Sequence, residues 1–300
     1  MLGQVLAESV VHRPPAVLRP FVAEVVGYRH EGLTPGLHRG LPSPHLTLVL
    51  TLDEPLVMAA HPDPGQAGST HDALVGGLHT APALIATGTR QFGVQLSLTP
   101  LGARALLGVP AGALASRDVE LDALLGPAAT ELLDRLRAAH DWPTRFAGLD
   151  AALTRLLPDR LALPAPELAD AWALTTWTAG RLGIAAVAAR VGWSERHLRQ
   201  RFTAEFGLTP KEAARVARFS VARRRLAAAV ARGCSPDLAV LAAAHGYADQ
   251  SHLTREWRAL AGLPPGRWLA AEHQLLRPDA DQLLRFVQDG TPAGGPPSRA

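Results

Sequence analysis

Two stretches near the C-terminus carry one pattern. The first reads Ala188-Ala189-Arg190-Val191-Gly192-Trp193-Ser194-Glu195-Arg196-His197-Leu198-Arg199-Gln200-Arg201-Phe202, followed by Gly207-Leu208-Thr209-Pro210. The second reads Ala242-Ala243-Ala244-His245-Gly246-Tyr247-Ala248-Asp249-Gln250-Ser251-His252-Leu253-Thr254-Arg255-Glu256-Trp257, followed by Gly262-Leu263-Pro264-Pro265. Gly246 lies 54 positions after Gly192, whereas Leu253 and Trp257 lie 55 after Leu198 and Phe202, so the second turn is one residue longer. Two copies indicate a duplicated supersecondary unit, because a solenoid needs three or more. Each copy has the physics of a helix-turn-helix. A short Ala-rich helix ends at a glycine, which accepts the left-handed backbone of a sharp turn. Trp193 or Tyr247 fills the corner. Ser194 suits the N-cap of the next helix, and in the second copy Asp249 and Ser251 both qualify. Leu198, Phe202 and Phe206 recur every fourth residue and face the core, while Arg196, His197, Arg199, Gln200 and Arg201 lie between them and face outward.

Two such units joined by one helix resemble the DNA-binding domain of the AraC/XylS family of transcriptional regulators. The resemblance spans residues 166–271 and rests on Gly192-Trp193-Ser194, Leu198 with Phe202, Gly207-Leu208-Thr209-Pro210, and the run from Gly246 to Arg255. It implies double-stranded DNA as partner. The family's base-facing positions fall on Arg196, Arg199 and Gln200 in the first unit and on Gln250, Ser251 and Arg255 in the second. Ser194, His197 and Thr254 match phosphate contacts, and His252 is open to either role. Arg255 is also open to the family's structural role of tying the two units together. Gln200 stands where the family commonly has Arg, which changes the base read there from guanine toward adenine. Leu198, Phe202, Leu253, Trp257, Trp193, Tyr247 and Trp268 read as core rather than as base stackers.

Charge supports this placement. The chain has 300 residues with a formal net charge of +3. Residues 1–164 hold 12 Arg against 15 Asp and Glu, a balance of −3, whereas residues 165–273 hold 15 Lys and Arg against 9 acids, a balance of +6. Positive charge gathers where phosphate binding requires it. No apolar run approaches the ~18 residues of a membrane helix. The single cysteine, Cys234, rules out an internal disulfide framework and fits a reducing compartment. A cytoplasmic, prokaryotic setting is expected, with no membrane partner.

The expected fold class is α+β, divided into an N-terminal sensing or dimerisation domain (1–160), the two-unit DNA-binding domain (161–273) and a C-terminal tail (274–300). Residues 1–20 read as irregular and 21–29 as helix or strand. Residues 32–44 read as a Gly- and Pro-rich loop. Leucines at 46, 48, 50 and 52 alternate with Thr47, Val49 and Thr51 in a half-buried strand, with 56–60 returning as its partner. After a mobile loop at 61–71, strands follow at 73–75, 83–87 and 91–98. Helices begin at Pro100, after the capping Thr99, and over 127–139 and 143–157. Residues 158–166 form the boundary. Beyond it come a helix over 166–181, with Trp172 and Trp177 near one face, and a long helix over 210–231. Within that long helix, at most one of Arg223, Arg224 and Arg225 is expected on DNA. A short element is expected at 281–288 and disorder from 291.

The strand-rich stretch followed by helices is compatible with the cupin-like domain of AraC-type regulators and is similar to the N-terminal domains of actinobacterial members. That resemblance implies a small-molecule effector, a possible homodimer, and RNA polymerase as a partner for an activator. Arg39, His45, His79 and Arg90 lie near strand ends and are the candidates for polar points of an effector pocket. Seven histidines fall in the first 80 residues, but none forms His-x-His or pairs at helical i, i+3 or i+4 spacing, so no metal is expected. No cofactor or catalytic activity is expected either, since nucleophile-elbow, phosphate-loop and dinucleotide motifs are missing. The competing readings are an N-terminal enzyme, or a ligand-free dimerisation domain, fused to the DNA-binding module.

Overall fold

The computed structural model describes residues 6–234 and 236–276. The expected element at 281–288 and the rest of the tail lie outside the described residues. The N-terminal part is built from ten strands: β1 (Leu6–His12), β2 (Val22–Glu31), β3 (Gly36–Gly40), β4 (Leu46–Thr51), β5 (Leu56–Ala60), β6 (Ser69–His71), β7 (Ala73–Gly76), β8 (Ala83–Thr87), β9 (Arg90–Leu98) and β10 (Asp118–Glu120). They form two antiparallel sheets, one of six strands in the order β1-β2-β9-β4-β7-β10 and one of four in the order β3-β8-β5-β6.

Alternation produces the core. Val94, Leu96 and Leu98 of β9 stand beside Leu46, Leu48 and Leu50 of β4, all fully or almost fully buried. Side chains two apart share a sheet face, so one apolar set per strand closes the interior. Helix α1 (Pro100–Leu107) follows directly, capped by Thr99 and stopped at Gly108 in the left-handed conformation. Helices α2 (Asp122–Leu125), α3 (Pro127–Ala138) and α4 (Trp142–Leu156) complete this part. An irregular segment at 157–165 then leads to seven helices: α5 (Pro166–Trp177), α6 (Ile184–Arg190), α7 (Glu195–Phe206), α8 (Pro210–Ala231), α9 (Leu238–Ala244), α10 (Gln250–Ala261) and α11 (Pro265–Leu276). The whole is α+β, with the sheets and the two reading units in separate stretches of chain. No described helix is long and apolar enough to cross a membrane.

Several local expectations are corrected. The segment at 56–60 is a strand but not the partner of β4: it pairs with β6 and β8 in the other sheet, while β4 is flanked by β7 and β9. Residues 6–12 form an edge strand against β2, and the expected loops at 32–44 and 61–71 contain β3 and β6. Trp193, expected in the core, is only half-buried.

The interior does not stop at the boundary segment. One apolar cluster runs from the strands through Ala111 and Leu114, in a short 3-10 turn, to Leu168, Val187, Leu198, Phe202 and Phe206. The second reading unit has its own cluster around Phe219, Tyr247, Leu253, Trp257 and Trp268. The first reading unit therefore shares a core with the N-terminal part, and the second packs on α8.

Candidate nucleic-acid interface

The two units repeat one local geometry. In the first, Gly192 sits at φ 74 and the Trp193 amide donates to the carbonyl of Ala188 at 2.9 Å. In the second, Gly246 sits at φ 72 and the Tyr247 amide donates to Ala242 at 3.0 Å. Positive φ costs glycine almost nothing, which is why the sharp turn falls there in both copies. Ser194 caps α7 by accepting from the His197 amide at 3.2 Å. In the second unit the cap is Asp249, which accepts from the His252 amide at 2.6 Å; Ser251 lies inside α10. Each corner aromatic meets a histidine edge-on, Trp193 with His197 at 4.6 Å and Tyr247 with His252 at 5.4 Å between ring centroids.

Exposure separates the two faces of the reading helices. Ser194, Arg196, His197, Arg199 and Gln200 are exposed on α7 and its cap, while Leu198, Phe202 and Phe206 are buried. On α10, Gln250, Ser251 and Arg255 are exposed, and His252 and Thr254 are half-buried. Arg196, Arg199 and Arg255 make no ion pair among the described residues. His252 is less available than His197, because its Nδ1 accepts from the Ala248 amide at 3.1 Å.

Helix α8 connects the two units. Its N-terminus is closed by a reciprocal capping box between Thr209 and Glu212. At 22 residues and 1.5 Å per residue it spans about 33 Å. Arg215 of α8 grips Glu256 of α10 with two bonds of 2.7 and 3.1 Å, and the Arg218 guanidinium lies over the Tyr247 ring at 5.6 Å. The tie between units is thus made by Arg215 and Glu256, a pair that sequence reasoning missed.

The N-terminal part reaches the interface at three points. Arg104 of α1 holds Glu205 of α7 bidentately at 2.6 and 2.7 Å. That bond, more than any other influence, raises the guanidinium above its usual range. Glu272 of α11, almost fully buried, takes the Arg39 amide at 3.0 Å and the His38 ring. Arg223 and Arg224 of α8 carry charge toward Glu24 of β2. Burial, then the charge of Arg224, lowers Arg223 to about 10, and burial raises Glu24. Of the three consecutive arginines Arg223 is half-buried, and Arg224 and Arg225 are exposed.

The four candidates for an effector pocket have separate surroundings. Arg39 lies against Glu272, with 3.9 Å between charged atoms. His45 feels Arg224, and burial together with that charge lowers it to about 4. His79 bonds the carbonyl of Ala81, and Arg90 pairs with Asp53 at 2.8 Å on the surface. None of the four lines the shallow cavity between β3 and α11, whose walls include Leu33, Pro35, His38, Thr87 and Glu272. Among the described residues, no three His, Cys, Asp or Glu side chains gather in a way that could hold a metal ion.

Comparison with known proteins identifies the C-terminal region. The family described as Helix-turn-helix domain (HTH_18) matches residues 187–271, which contain both reading helices and α8. No curated protein matches the chain. Among solved structures it is similar to ToxT from Vibrio cholerae, at 8% identity over 88% of this chain and 98% of that one, with a TM-score of 0.47. An unsaturated fatty acid-bound ToxT from the same organism is similar at 7% identity over 89% and 95%, with a TM-score of 0.47. The AraC-like transcriptional activator CuxR is similar at 15% identity over 77% and 89%, with a TM-score of 0.28. Residues 187–271 are thus a helix-turn-helix domain. The match spans both helix-turn-helix units and the helix α8 that connects them.

Proposed function

We propose that the chain is a sequence-specific transcriptional regulator that lays α7 and α10 into successive major grooves. The supporting observation is the rigid pairing of two exposed, N-capped reading helices across a connecting helix about 33 Å long. Arg196, Arg199 and Gln200 read bases from α7, and Gln250, Ser251 and Arg255 read them from α10. Ser194, His197 and Thr254 bind phosphate, and His252 offers its Nε2. Because the two helices differ in sequence, the site is non-palindromic, and a homodimer would bind two copies as repeats. The domain division is 1–160 for effector response or self-association and 161–273 for DNA. Arg39 and His45 are the better effector candidates of the four, because both border the C-terminal helices and so stand where a ligand can reset the reading units. As an activator the protein would also contact RNA polymerase.

The test is binding of the purified chain to its own upstream DNA, with an Arg199→Ala/Arg255→Ala variant alongside, at two salt concentrations. Each lost bidentate contact removes roughly 1–3 kcal/mol of discrimination, so the variant should keep salt-sensitive background binding and lose site preference. Equal site preference in both proteins rejects these base contacts. Absence of specific binding across a genomic fragment pool rejects the regulator reading itself.

A further inference from the structure

The N-terminal part touches the two reading helices at equivalent points. Each helix ends at a left-handed glycine, Gly207 after α7 at φ 74 and Gly262 after α10 at φ 72. These glycines hold matching places in the duplicated pattern, 55 residues apart. The 3-10 turn Ala111–Leu114 lies against the first. A Cβ on Gly112 would come within 2.7 Å of the Ala204 carbonyl oxygen and 3.0 Å of the Gly207 amide nitrogen, and one on Gly207 would overlap the Ala115 methyl. Pro82 lies against the second, where a Cβ on Gly262 would stand 3.4 Å from the proline ring.

One short segment carries both contacts. A Cβ on Gly77 would overlap the Leu114 carbonyl, the Gly77 amide donates to Arg117 at 2.9 Å, and the Ser116 amide donates to Leu78 at 2.8 Å. The 3-10 turn is therefore backed by Gly77 and Leu78 on one side and by the end of α7 on the other. Leu78, Ala111, Leu114 and Phe206 belong to one apolar cluster. Five residues after Gly77, the same segment presents Pro82 to the end of α10. Backbone packed this closely has no void to slide into. Helix α8 by itself leaves more play. The two units belong to separate apolar clusters, one reaching Ala213 of α8 and the other starting at Val216. Their polar tie, Arg215 with Glu256, is part-exposed, and long helices bend.

We propose, on the reading of α7 and α10 as the DNA-reading helices, that the segment from Gly77 to Pro82 and the 3-10 turn it supports gauge the separation of those helices. The protein then selects DNA by the distance between two half-sites as well as by their sequence. Gly112 and Pro82 are positioning residues, acting through the ends of α7 and α10 and not on DNA. Two half-site contacts reinforce each other only where the geometry lets both form at once. One inserted base pair moves the second half-site by ~3.4 Å and turns it by about 35°. A stiff gauge cannot follow that change, whereas α8 released from it follows part of the way.

Two full-length variants test the gauge. Gly112→Ala sets a methyl group against backbone atoms of α7, and since Gly112 lies outside the left-handed region, that overlap is its main cost. Pro82→Gly withdraws the ring from the end of α10. Duplexes that wild type recovers from a genomic fragment pool are footprinted. The tightest is remade with one base pair inserted between its two protected half-sites, and again as the first half-site alone. Wild type should lose about 100-fold in affinity on the inserted duplex. Each variant should lose about tenfold or less between the same two duplexes, while binding the single half-site as wild type does. Variants that discriminate spacing as strongly as wild type leave α8 as the gauge and overturn the proposal. So do variants weakened by one factor on all three duplexes, because that reports lost folded protein and not lost positioning. If wild type protects no pair of half-sites on any recovered duplex, the assignment of α7 and α10 as reading helices fails, and the gauge with it.

Discussion

Glu205 projects from the buried face of the first reading helix, between Phe202 and Phe206, and Arg104 of the N-terminal part supplies both of its hydrogen bonds. The carboxylate is 8% exposed and the guanidinium 28%. A charge taken out of water at this depth is tolerated only while it is paired. Arg104→Met should therefore destabilise the protein by about 3 kcal/mol, the lower end of the range for breaking a buried pair. Adding Glu205→Gln to that variant should restore most of the loss, because the stranded charge is gone. Urea unfolding of the three proteins measures it. A double variant no more stable than Arg104→Met would show that Glu205 is not burdened by desolvation.

The connection between α8 and α10 works differently. Arg215 and Glu256 are 31% and 21% exposed, so their pair is softened by solvent. Its value lies in orientation more than in stability. Glu256→Gln should cost about 1 kcal/mol, leave binding to a first-unit half-site unchanged, and weaken binding to the full site. A double-mutant cycle with Arg215→Met should give a coupling of about 0.5–3 kcal/mol on full-site affinity. Additive losses would mean the two side chains act independently.

Asp249 places a negative charge at the N-terminus of the helix we propose to lie against phosphates, where the first unit has Ser194. The capping bond to His252 explains its presence structurally. Asp249→Ser keeps a capping oxygen and removes the repulsion. It should stay within about 0.5 kcal/mol of wild-type stability and bind DNA more tightly at low salt. Asp249→Ala should lose about 1 kcal/mol of stability through the missing cap. Fluorescence anisotropy at two salt concentrations, alongside thermal unfolding, separates the two effects.

The parts legible in sequence are those whose physics is local. The two units repeat glycine, corner aromatic, cap and apolar spacing within some 20 residues, and the turn glycines, the caps and the buried apolar faces appear where their residue types predict them, although Trp193 is only half-buried. Strands β4 and β9 were equally plain, because leucine and threonine or glutamine alternate there. Pairing was not legible: β5 follows β4 in sequence, yet β4 pairs with residues 23 and more positions away, and nothing in Leu56–Ala60 distinguishes one antiparallel neighbour from another. β3 escaped notice because Gly36-Leu37-His38-Arg39-Gly40 contains one apolar side chain and two glycines. Glu205 gave a usable signal, an acid on an apolar helix face, although its partner Arg104 lies 101 residues earlier.

His45 connects stability to pH. It precedes β4, half-buried, and burial followed by the charge of Arg224 lowers it to about 4. In the unfolded chain the same side chain titrates near ~6.5. Between these values the unfolded state binds more protons than the folded state, so stability rises with pH across this window. The contribution is fully present above pH ~6.5 and is lost as the pH falls toward 4. A difference of this size corresponds to about 2–3 kcal/mol at pH 4.5. Carboxylates titrate in the same range, so the informative quantity is the difference between wild type and His45→Asn. If the Asn side chain fits the same space, the two proteins should unfold at similar urea concentrations at pH 7.5, and the variant should be the more stable by about 2 kcal/mol at pH 4.5. Parallel stability curves from pH 7.5 to 4.5 would mean that His45 is solvated in the folded chain and that the face it shares with Arg224 is wet rather than closed.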